Sequence, residues 1–439
     1  MKKTFLRYVI PSMIAFVFSG LYSMVDAFFV GRNVGDKGLA AINIAYPLVA
    51  FVQSVGTGIG IGGAVYISTC IAKGDAKRER DFLLSSVLFL SAAAVILTAV
   101  ILLAYPPLLK IFGAHGEVYT AASDYIKVII TGAAFQVFAT GLIPILRNYG
   151  QSFLAMFSMV LGFITNIVLD WLFVQVFKWS LKGAALATII GQAATVIPCA
   201  IYLVMKKRGR EGKYRFSFGD FLSIARVGLS PFGVTLCPNI GVVVMNRVAY
   251  DYGGDPAVAA YAVVAYVYFS LLMIMQGAGD GSQPLISYYW GKGERKNAFT
   301  IRRYAFVTAI FTAFVLVGAI MLLRFEIPVV FGAGAEAASI ASRALVYFGI
   351  AVCLASVNRI CTAYFYSVKS NLLAYLTVYG EVAFLALFAF VFPLRWGTDG
   401  IWLANTASQA IVTVMGVAFC LYSDRKNKLA EERKISDIP

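Results

Sequence analysis

The chain consists almost entirely of long apolar runs separated by short polar breaks. A helix needs roughly 20 apolar residues to cross a bilayer, and runs of that length recur throughout the 439 residues. Of these residues 60% are hydrophobic and 13% charged, whereas a soluble domain is usually about 25% charged. The runs predict an all-α membrane protein with twelve transmembrane helices, at 9–31, 39–70, 83–109, 120–146, 153–177, 183–205, 222–249, 257–289, 301–323, 338–366, 373–394 and 400–422.

Basic residues predict how these helices are oriented. Lysines and arginines lie mostly in the breaks, with 26 on the side that carries both termini, 10 on the opposite side and Arg359 inside a run. Because short cytoplasmic loops carry the excess of basic residues, both termini are predicted to be cytoplasmic, in a multi-pass protein of the inner or plasma membrane. The net charge of +15 is therefore typical of a protein oriented in the lipid bilayer by its basic loops. We expect no nucleic acid as a partner.

Cysteine and histidine give no sign of a metal centre or an enzyme. The six cysteines form no CxxC pair, and the one histidine, His115, lies in a predicted loop. HExxH and GxSxG sequences are absent. We therefore expect neither a disulfide framework nor a zinc site, no resident cofactor and no enzymatic activity.

The sequence repeats itself with a nearly constant offset. Similar residues recur 217 to 221 positions later in the same order, pairing Pro11 with Pro231, Asp26 with Asn246, Tyr46 with Tyr266, Lys73 with Lys292, Phe112 with Phe331 and Gln192 with Gln409. Such a series predicts an internal duplication. Because six crossings return the chain to the same side, the two six-helix lobes should be related by a pseudo-two-fold axis along the membrane normal.

This repeat divides the chain into four predicted parts. They are an N-terminal lobe at 1–205, a cytoplasmic linker at 206–221, a C-terminal lobe at 222–425 and a cytoplasmic tail at 426–439. Two lobes of the same orientation suit transport by alternating access.

The first intramembrane carboxylate is Asp26, in the first predicted span. Ionisable residues inside a bilayer are costly, which makes them functional candidates. Ser19, Tyr22 and Ser23 precede Asp26 by seven, four and three residues, so the four side chains share one helix face. The alternative role for Asp26 is a cap near the outer end of the helix.

The second carboxylate is Asp170, which follows Asn166 by four residues in the fifth predicted span. Both side chains therefore project from the same helix face. A carboxylate beside an amide carbonyl suits a sodium ion or a proton held on a buried carboxylate. A hydrogen bond between helices is the structural alternative.

Four further polar residues are candidate second-lobe or structural sites: Asn246, Asp280, Gln283 and Glu381. Asp280 and Gln283 stand among glycines and before a proline, which predicts an irregular helix whose freed backbone amides bind Asp280. Glu381 fits equally a second-lobe cavity or the cytoplasmic end of its helix. The position that the repeat pairs with Asp170 is Leu387.

Several stretches resemble the multidrug and toxic compound extrusion (MATE) family of transporters, in its prokaryotic form, over roughly residues 5 to 425. The stretches that carry the resemblance are Pro11 with Ser-Met-Val-Asp-Ala-Phe-Phe-Val-Gly (23–31), Thr-Asn-Ile-Val-Leu-Asp (165–170), Gly-Ala-Ala-Leu-Ala-Thr (183–188) and Gln-Gly-Ala-Gly-Asp-Gly-Ser-Gln-Pro (276–284).

The resemblance implies a V-shaped pair of lobes that exports organic cations in exchange for sodium or protons and confers drug resistance. It implies an ion-coupling site, with Na⁺ as one candidate ion, at Asp26, Asn166, Asp170 and Thr188 in the first lobe. It also implies a bending role for Pro11. The chain departs from members with acidic residues in the seventh and tenth helices, since it has Asn246 and no carboxylate in 338–366.

Two other functions fit parts of this pattern. A lipid-linked sugar flippase of the same superfamily would carry more basic residues in its cavity, whereas Arg359 is the one clearly intramembrane base here. A channel would share the helices but not uphill transport. The sequence favours an antiporter, expected to act as a monomer, in which ion and drug compete for the charge of Asp26 and Asp170.

Overall fold

The computed structural model describes residues 1–207, 214–215 and 217–436, and in these ranges the regular secondary structure is helical throughout. The α-helices are α1 (Lys2–Val34), α2 (Asp36–Lys73), α3 (Ala76–Ile111), α4 (Gly116–Thr131), α5 (Ala133–Asn148), α6 (Ser152–Asp170), α7 (Ser180–Lys207), α8 (Phe218–Gly291), α9 (Arg295–Leu323), α10 (Glu326–Val330), α11 (Ala335–Ser367), α12 (Asn371–Val391) and α13 (Pro393–Ser436). A π-helical segment, Trp171–Val176, extends α6.

The predicted multi-pass helical architecture is confirmed. Within the described ranges ten helices are long and apolar enough to cross a membrane, and the pair α4 and α5, bent by 57°, gives an eleventh. The longest, α8, has 74 residues. At 1.5 Å per residue it would measure about 110 Å if straight, against a bilayer core of about 30 Å.

One glycine interrupts α8. Gly254 has φ 59° and ψ −158°, a conformation that side chains with a Cβ rarely adopt. The break falls between the predicted seventh and eighth spans, 222–249 and 257–289. The fourth predicted span, 120–146, differs more from the structure, because it is divided at Gly132 into α4 and α5.

The chain forms two compact units. The first compact unit contains residues 1–239 and 280–301, and the second contains 240–279 and 302–439. These units do not follow the predicted lobes, because parts of 222–425 belong to the first unit. The predicted lobes and their symmetry axis therefore remain predictions about the repeat. Positions 208–213 and 216 of the predicted linker and 437–439 of the predicted tail lie outside the described residues.

Within the first compact unit, α2 packs against α3 and α5, while α6 packs against α1 and α7. The start of α8 joins this unit through very small residues. A Cβ built on Gly62 would lie 2.3 Å from the Ile224 carbonyl oxygen, and one on Gly58 would lie 2.8 Å from the Gly228 carbonyl oxygen. Close packing of helix backbones through small residues is how helices associate in lipid.

Within the second compact unit, α13 packs against α11 and α12. Its core is aromatic: Trp402 is fully buried, stacks on Tyr261 at 6.1 Å between ring centroids and meets Phe348 at 6.3 Å. Buried aromatic rings of this kind contribute both contact area and specific ring geometry.

Candidate functional site

Three helices of the first compact unit bring the four predicted ion-coupling residues to neighbouring positions. Asp26 is on α1, Asn166 and Asp170 are on α6, and Thr188 is on α7. Each of these helices packs against the other two. Asp170 is fully buried and Asn166 is 3% exposed, so their polar groups lie inside the helix bundle.

The two aspartates face each other. Their carboxyl groups are close enough for a protonated carboxyl to donate to the other. Two ionised carboxylates at such separation repel each other, and burial away from water strengthens the repulsion. The pair therefore requires a proton or a bound cation to be stable.

Several oxygens of this site have no hydrogen-bond donor among the described residues. When both carboxyl groups are ionised, no donor among the described residues reaches either carboxylate oxygen of Asp170, Oδ1 of Asp26 or Oδ1 of Asn166, and all four atoms are buried. Buried polar atoms are nearly always paired in native structures, and an exception indicates a catalytic role or an absent ion or water. Four such acceptors on three residues of packed helices indicate a site for a cation or a proton.

Neighbouring contacts fix the orientation of Asn166 and Thr188. Nδ2 of Asn166 donates to Oγ1 of Thr188 at 3.5 Å, and that hydroxyl donates to the Ala184 carbonyl oxygen at 3.0 Å. The Tyr22 hydroxyl also bonds with Thr188. Because the amide nitrogen faces Thr188, Oδ1 of Asn166 is left as an acceptor that can serve a cation.

A small cleft adjoins the site. Tyr22 and Phe163, stacked at 5.2 Å between ring centroids, form part of its wall. The other lining residues are Gly162, Asn166, Thr188, Gly191, Gln192 and Thr195. Asn166 and Thr188 thus belong both to the cleft and to the surroundings of the aspartates.

The backbone is irregular directly after Asp170. The α-helix ends at Asp170, and Trp171–Val176 continues as a π-helix. Single π turns occur frequently at functional sites in helices. Nothing in the residue pattern indicates this change, because the segment is as apolar as the helix before it.

The site is not a dense metal centre. Within 1–207, 214–215 and 217–436 there is no group of three or more His, Cys, Asp or Glu side chains placed to hold a metal ion. A monovalent cation at Asp26 and Asp170 would take its remaining ligands from the amide and hydroxyl oxygens of Asn166 and Thr188, the oxygen ligands that hard cations prefer.

Asp280 and Gln283 lie elsewhere in the first compact unit. Asp280 pairs with Arg147 at 3.4 Å, where both side chains are buried. Gln283 and Asn148 exchange two hydrogen bonds, of 2.8 and 3.2 Å. The irregular helix expected around Asp280 is not found, because Gly254 is the one non-helical residue of α8.

Asn246 and Glu381 lie in the second compact unit. Asn246 is half-buried on α8. Glu381 lies 3.6 Å from Arg359 and accepts a hydrogen bond of 2.9 Å from Gln409. Sequence reasoning singled out Glu381 but missed this cluster. The available signal was the pairing of Gln409 with Gln192 in the repeat. Pro11 lies inside α1, and its bending role stays a prediction.

These features define an all-helical, multi-pass membrane protein with a polar site inside a helix bundle. A sequence model of the MatE family matches residues 11–172 and again residues 231–392. The chain therefore belongs to the MatE family, and the predicted resemblance is confirmed. The second match is displaced from the first by 220 residues at both ends, the offset of the predicted repeat.

Similar proteins include bacterial multidrug exporters. The chain is 26% identical over 308 residues to the multidrug export protein MepA of Staphylococcus saprophyticus, covering 68% of this chain and 67% of that protein. It is 27% identical over 306 residues to MepA of Staphylococcus aureus strain MRSA252, covering 67% and 66%. The alignments thus span about two thirds of these relatives.

Solved structures share the fold. One is an outward-facing conformation of a multidrug resistance MATE family transporter of the MOP superfamily, with a TM-score of 0.89, 24% identity and coverage of 98% of this chain and 97% of that one. Another is a MOP superfamily transporter from Pyrococcus furiosus, described as having a binding pocket of reverse polarity that suggests a different function, with a TM-score of 0.92, 24% identity and coverage of 97% and 96%.

Proposed function

We propose that the protein is a secondary active antiporter that exports organic cations, including drugs, in exchange for sodium ions or protons. The observation that carries this proposal is the group of four buried oxygens on Asp26, Asn166 and Asp170 that no donor from the described part of the chain reaches. Family membership and the similarity to MepA proteins support the transport role.

The architecture we propose for this activity has twelve crossings. They follow if α4 and α5 form one crossing and if α8 counts as two, divided at Gly254. Six crossings in each repeat give lobes of the same orientation, which suits alternating access in a monomer. The excess of basic residues on one side supports cytoplasmic termini.

Coupling would arise from competition for the negative charge of the two aspartates. Sodium would neutralise that charge with Asn166 and Thr188 as further ligands, and a proton would neutralise it on one carboxyl. A drug cation that binds to the same charge excludes the ion, and the ion excludes the drug. By linkage each then weakens the binding of the other by the same factor.

The transport experiment uses full-length protein in proteoliposomes loaded with a fluorescent organic cation, with a sodium gradient and a pH gradient imposed separately. We expect uphill movement driven by one of these gradients. Asp26→Asn and Asp170→Asn should each abolish it. Asp251→Asn is the matched control, since Asp251 is exposed and pairs with Arg247 on the same helix.

Full activity in either site variant would refute the coupling role of that aspartate. Loss of activity in the Asp251→Asn control would show that the assay reports general damage. Movement that only dissipates the gradient of the organic cation would show a channel instead of an antiporter.

A binding experiment tests the competition directly. Drug affinity is measured on purified protein at several sodium concentrations and several pH values. We expect affinity to fall as the coupling ion is added, and this dependence should vanish in the double variant Asp26→Asn/Asp170→Asn. If drug affinity depends on neither sodium nor pH, the ion and the drug do not compete for the charge of Asp26 and Asp170.

The orientation is tested by labelling single cysteines placed in the linker at 206–221, after the native cysteines are replaced. An impermeant reagent added to intact cells should not reach them. Labelling from outside would reverse the proposed topology.

A further inference from the structure

The second compact unit contains a charged pair inside apolar helices. Arg359 on α11 and Glu381 on α12 approach to 3.6 Å between Nη2 and Oε1, and their side chains are 6% and 17% exposed. A single charge in such surroundings is strongly unfavourable, so each charge is stabilised mainly by the other. Together the pair is neutral.

Amide groups hold this carboxylate in place. Oε1 of Glu381 also accepts a hydrogen bond of 2.9 Å from Nε2 of Gln409, which lies 3.2 Å from the Tyr268 hydroxyl. Oε1 of Gln409 accepts in turn from Nδ2 of Asn358 at 2.7 Å. The carboxylate therefore has fixed partners from α11 and α13.

The repeat gives this cluster a counterpart in the first compact unit. Gln409 corresponds to Gln192 at an offset of 217 residues, and Gln192 lines the cleft beside Asn166 and Thr188. Equivalent glutamines thus lie beside Asn166 and Thr188 in the first unit and beside Glu381 in the second. In the first unit none of the described residues donates to either oxygen of Asp170, whereas in the second unit a guanidinium faces the carboxylate.

We propose that Arg359 is a tethered cation that fills the carboxylate site of the second compact unit and so excludes mobile ions from Glu381. Without the guanidinium, Glu381 and the surrounding amides would form a site for a proton or a monovalent cation. Arg359 would then be a specificity-determining residue that confines ion coupling to the first unit. This inference extends the proposed antiport function.

The test measures thermal stability of the full-length protein in detergent. All variants carry Asp26→Asn and Asp170→Asn, so that the proposed ion site of the first unit has no carboxylate to bind an ion. In this background Arg359→Met is compared at zero and 150 mM Na⁺, with choline as replacement, and at pH 8 and 6. We expect Na⁺ or the lower pH to raise its Tm by about 3 °C or more, while the parent with Arg359 does not respond.

Two control variants separate charge from packing. Arg359→Lys keeps a positive charge and should not respond to ions. Arg359→Met/Glu381→Gln has no carboxylate and should not respond either. Arg359 and Tyr268 are the titratable groups that face Glu381, and the last control retains Tyr268, so a response confined to Arg359→Met assigns it to Glu381.

The proposal is overturned if Na⁺ or the lower pH raises the Tm of Arg359→Met no more than that of Arg359→Met/Glu381→Gln. If Arg359→Met does not accumulate, recovery of expression in the double variant supports the proposal, because the unpaired carboxylate then causes the failure. If neither Arg359→Met nor Arg359→Met/Glu381→Gln accumulates, Arg359 acts through packing, and the proposal is also overturned. The assay contains no drug and no transport step, so its failure leaves the antiport proposal to its own experiments.

Discussion

The close contact between α2 and the start of α8 allows a direct test of how the first compact unit is packed. In Gly62→Ala, the new methyl carbon would lie 2.3 Å from the Ile224 carbonyl oxygen and 3.1 Å from the Gly228 backbone nitrogen. Ordinary contacts of this kind begin at 3.4 Å. Both neighbouring atoms are backbone, so no side chain can rotate away, and the helices must separate by about 1 Å.

The expected cost follows from known effects of overpacking. Extra carbon atoms in a well-packed interior usually destabilise by about 1–3 kcal/mol. Replacing glycine by alanine in a helix without a clash instead stabilises it by up to about 1 kcal/mol. Gly318→Ala is the matched control, because a Cβ on Gly318 of α9 has nothing within 4 Å. The two variants should therefore differ by about 1–4 kcal/mol in the free energy of unfolding.

Thermal unfolding in detergent, followed with a thiol-reactive dye, measures this difference. The six cysteines are free thiols, and five of them are buried, so the dye reports their exposure. With about 1 °C in Tm per kcal/mol for a chain of this length, Gly62→Ala should melt about 1–3 °C below the wild type. Gly318→Ala should melt at or slightly above it. A Gly62→Ala protein as stable as the control would refute the backbone contact.

Two further predictions concern ionic contacts. Arg147→Met should destabilise the protein by about 3–5 kcal/mol, because it leaves the buried carboxylate of Asp280 without its guanidinium. Adding Asp280→Asn should recover most of that loss in the same melting assay. If the second substitution recovers nothing, the pairing of Arg147 with Asp280 is contradicted. Lys292 lowers the pKa of the half-buried Glu294, so any stabilisation by Glu294 is present above its unfolded pKa and is lost as the pH falls through the lowered value. Tm measurements from pH 7 to 3 should show that a small deficit of Glu294→Gln at neutral pH disappears on acidification, and a deficit that grows instead would contradict this sign.

The helices themselves could be predicted because crossing a bilayer requires long apolar runs, and these are visible in any single sequence. The division of the fourth span at Gly132 could not, because the glycine lies within a run that stays apolar on both sides. The π-helical turn after Asp170 was hidden for the same reason. Hydrophobicity reports that a segment is buried in lipid or protein, but not how its backbone is bent.

The candidate site was predictable in part. Asn166 and Asp170 share a helix face by their spacing alone, but their meeting with Asp26 and Thr188 was available only through the family resemblance. The pairs Arg147–Asp280 and Arg359–Glu381 were not predicted, since they join residues on different helices. In a lipid-facing helix the outward and inward faces are both apolar, so periodicity does not reveal which face meets a partner.

The contrast between the two carboxylate sites is the reason we propose that coupling depends on one unit. A charge inside the bilayer is tolerated only when something neutralises it. In the second unit Arg359 lies 3.6 Å from Glu381 and belongs to the protein, so under the proposal above that neutralisation does not depend on a mobile ion. In the first unit no donor within the described ranges reaches the Asp170 oxygens, so the neutralising charge must come from solution. A site that depends on a mobile charge can exchange an ion for a drug cation, whereas a site with a tethered charge cannot.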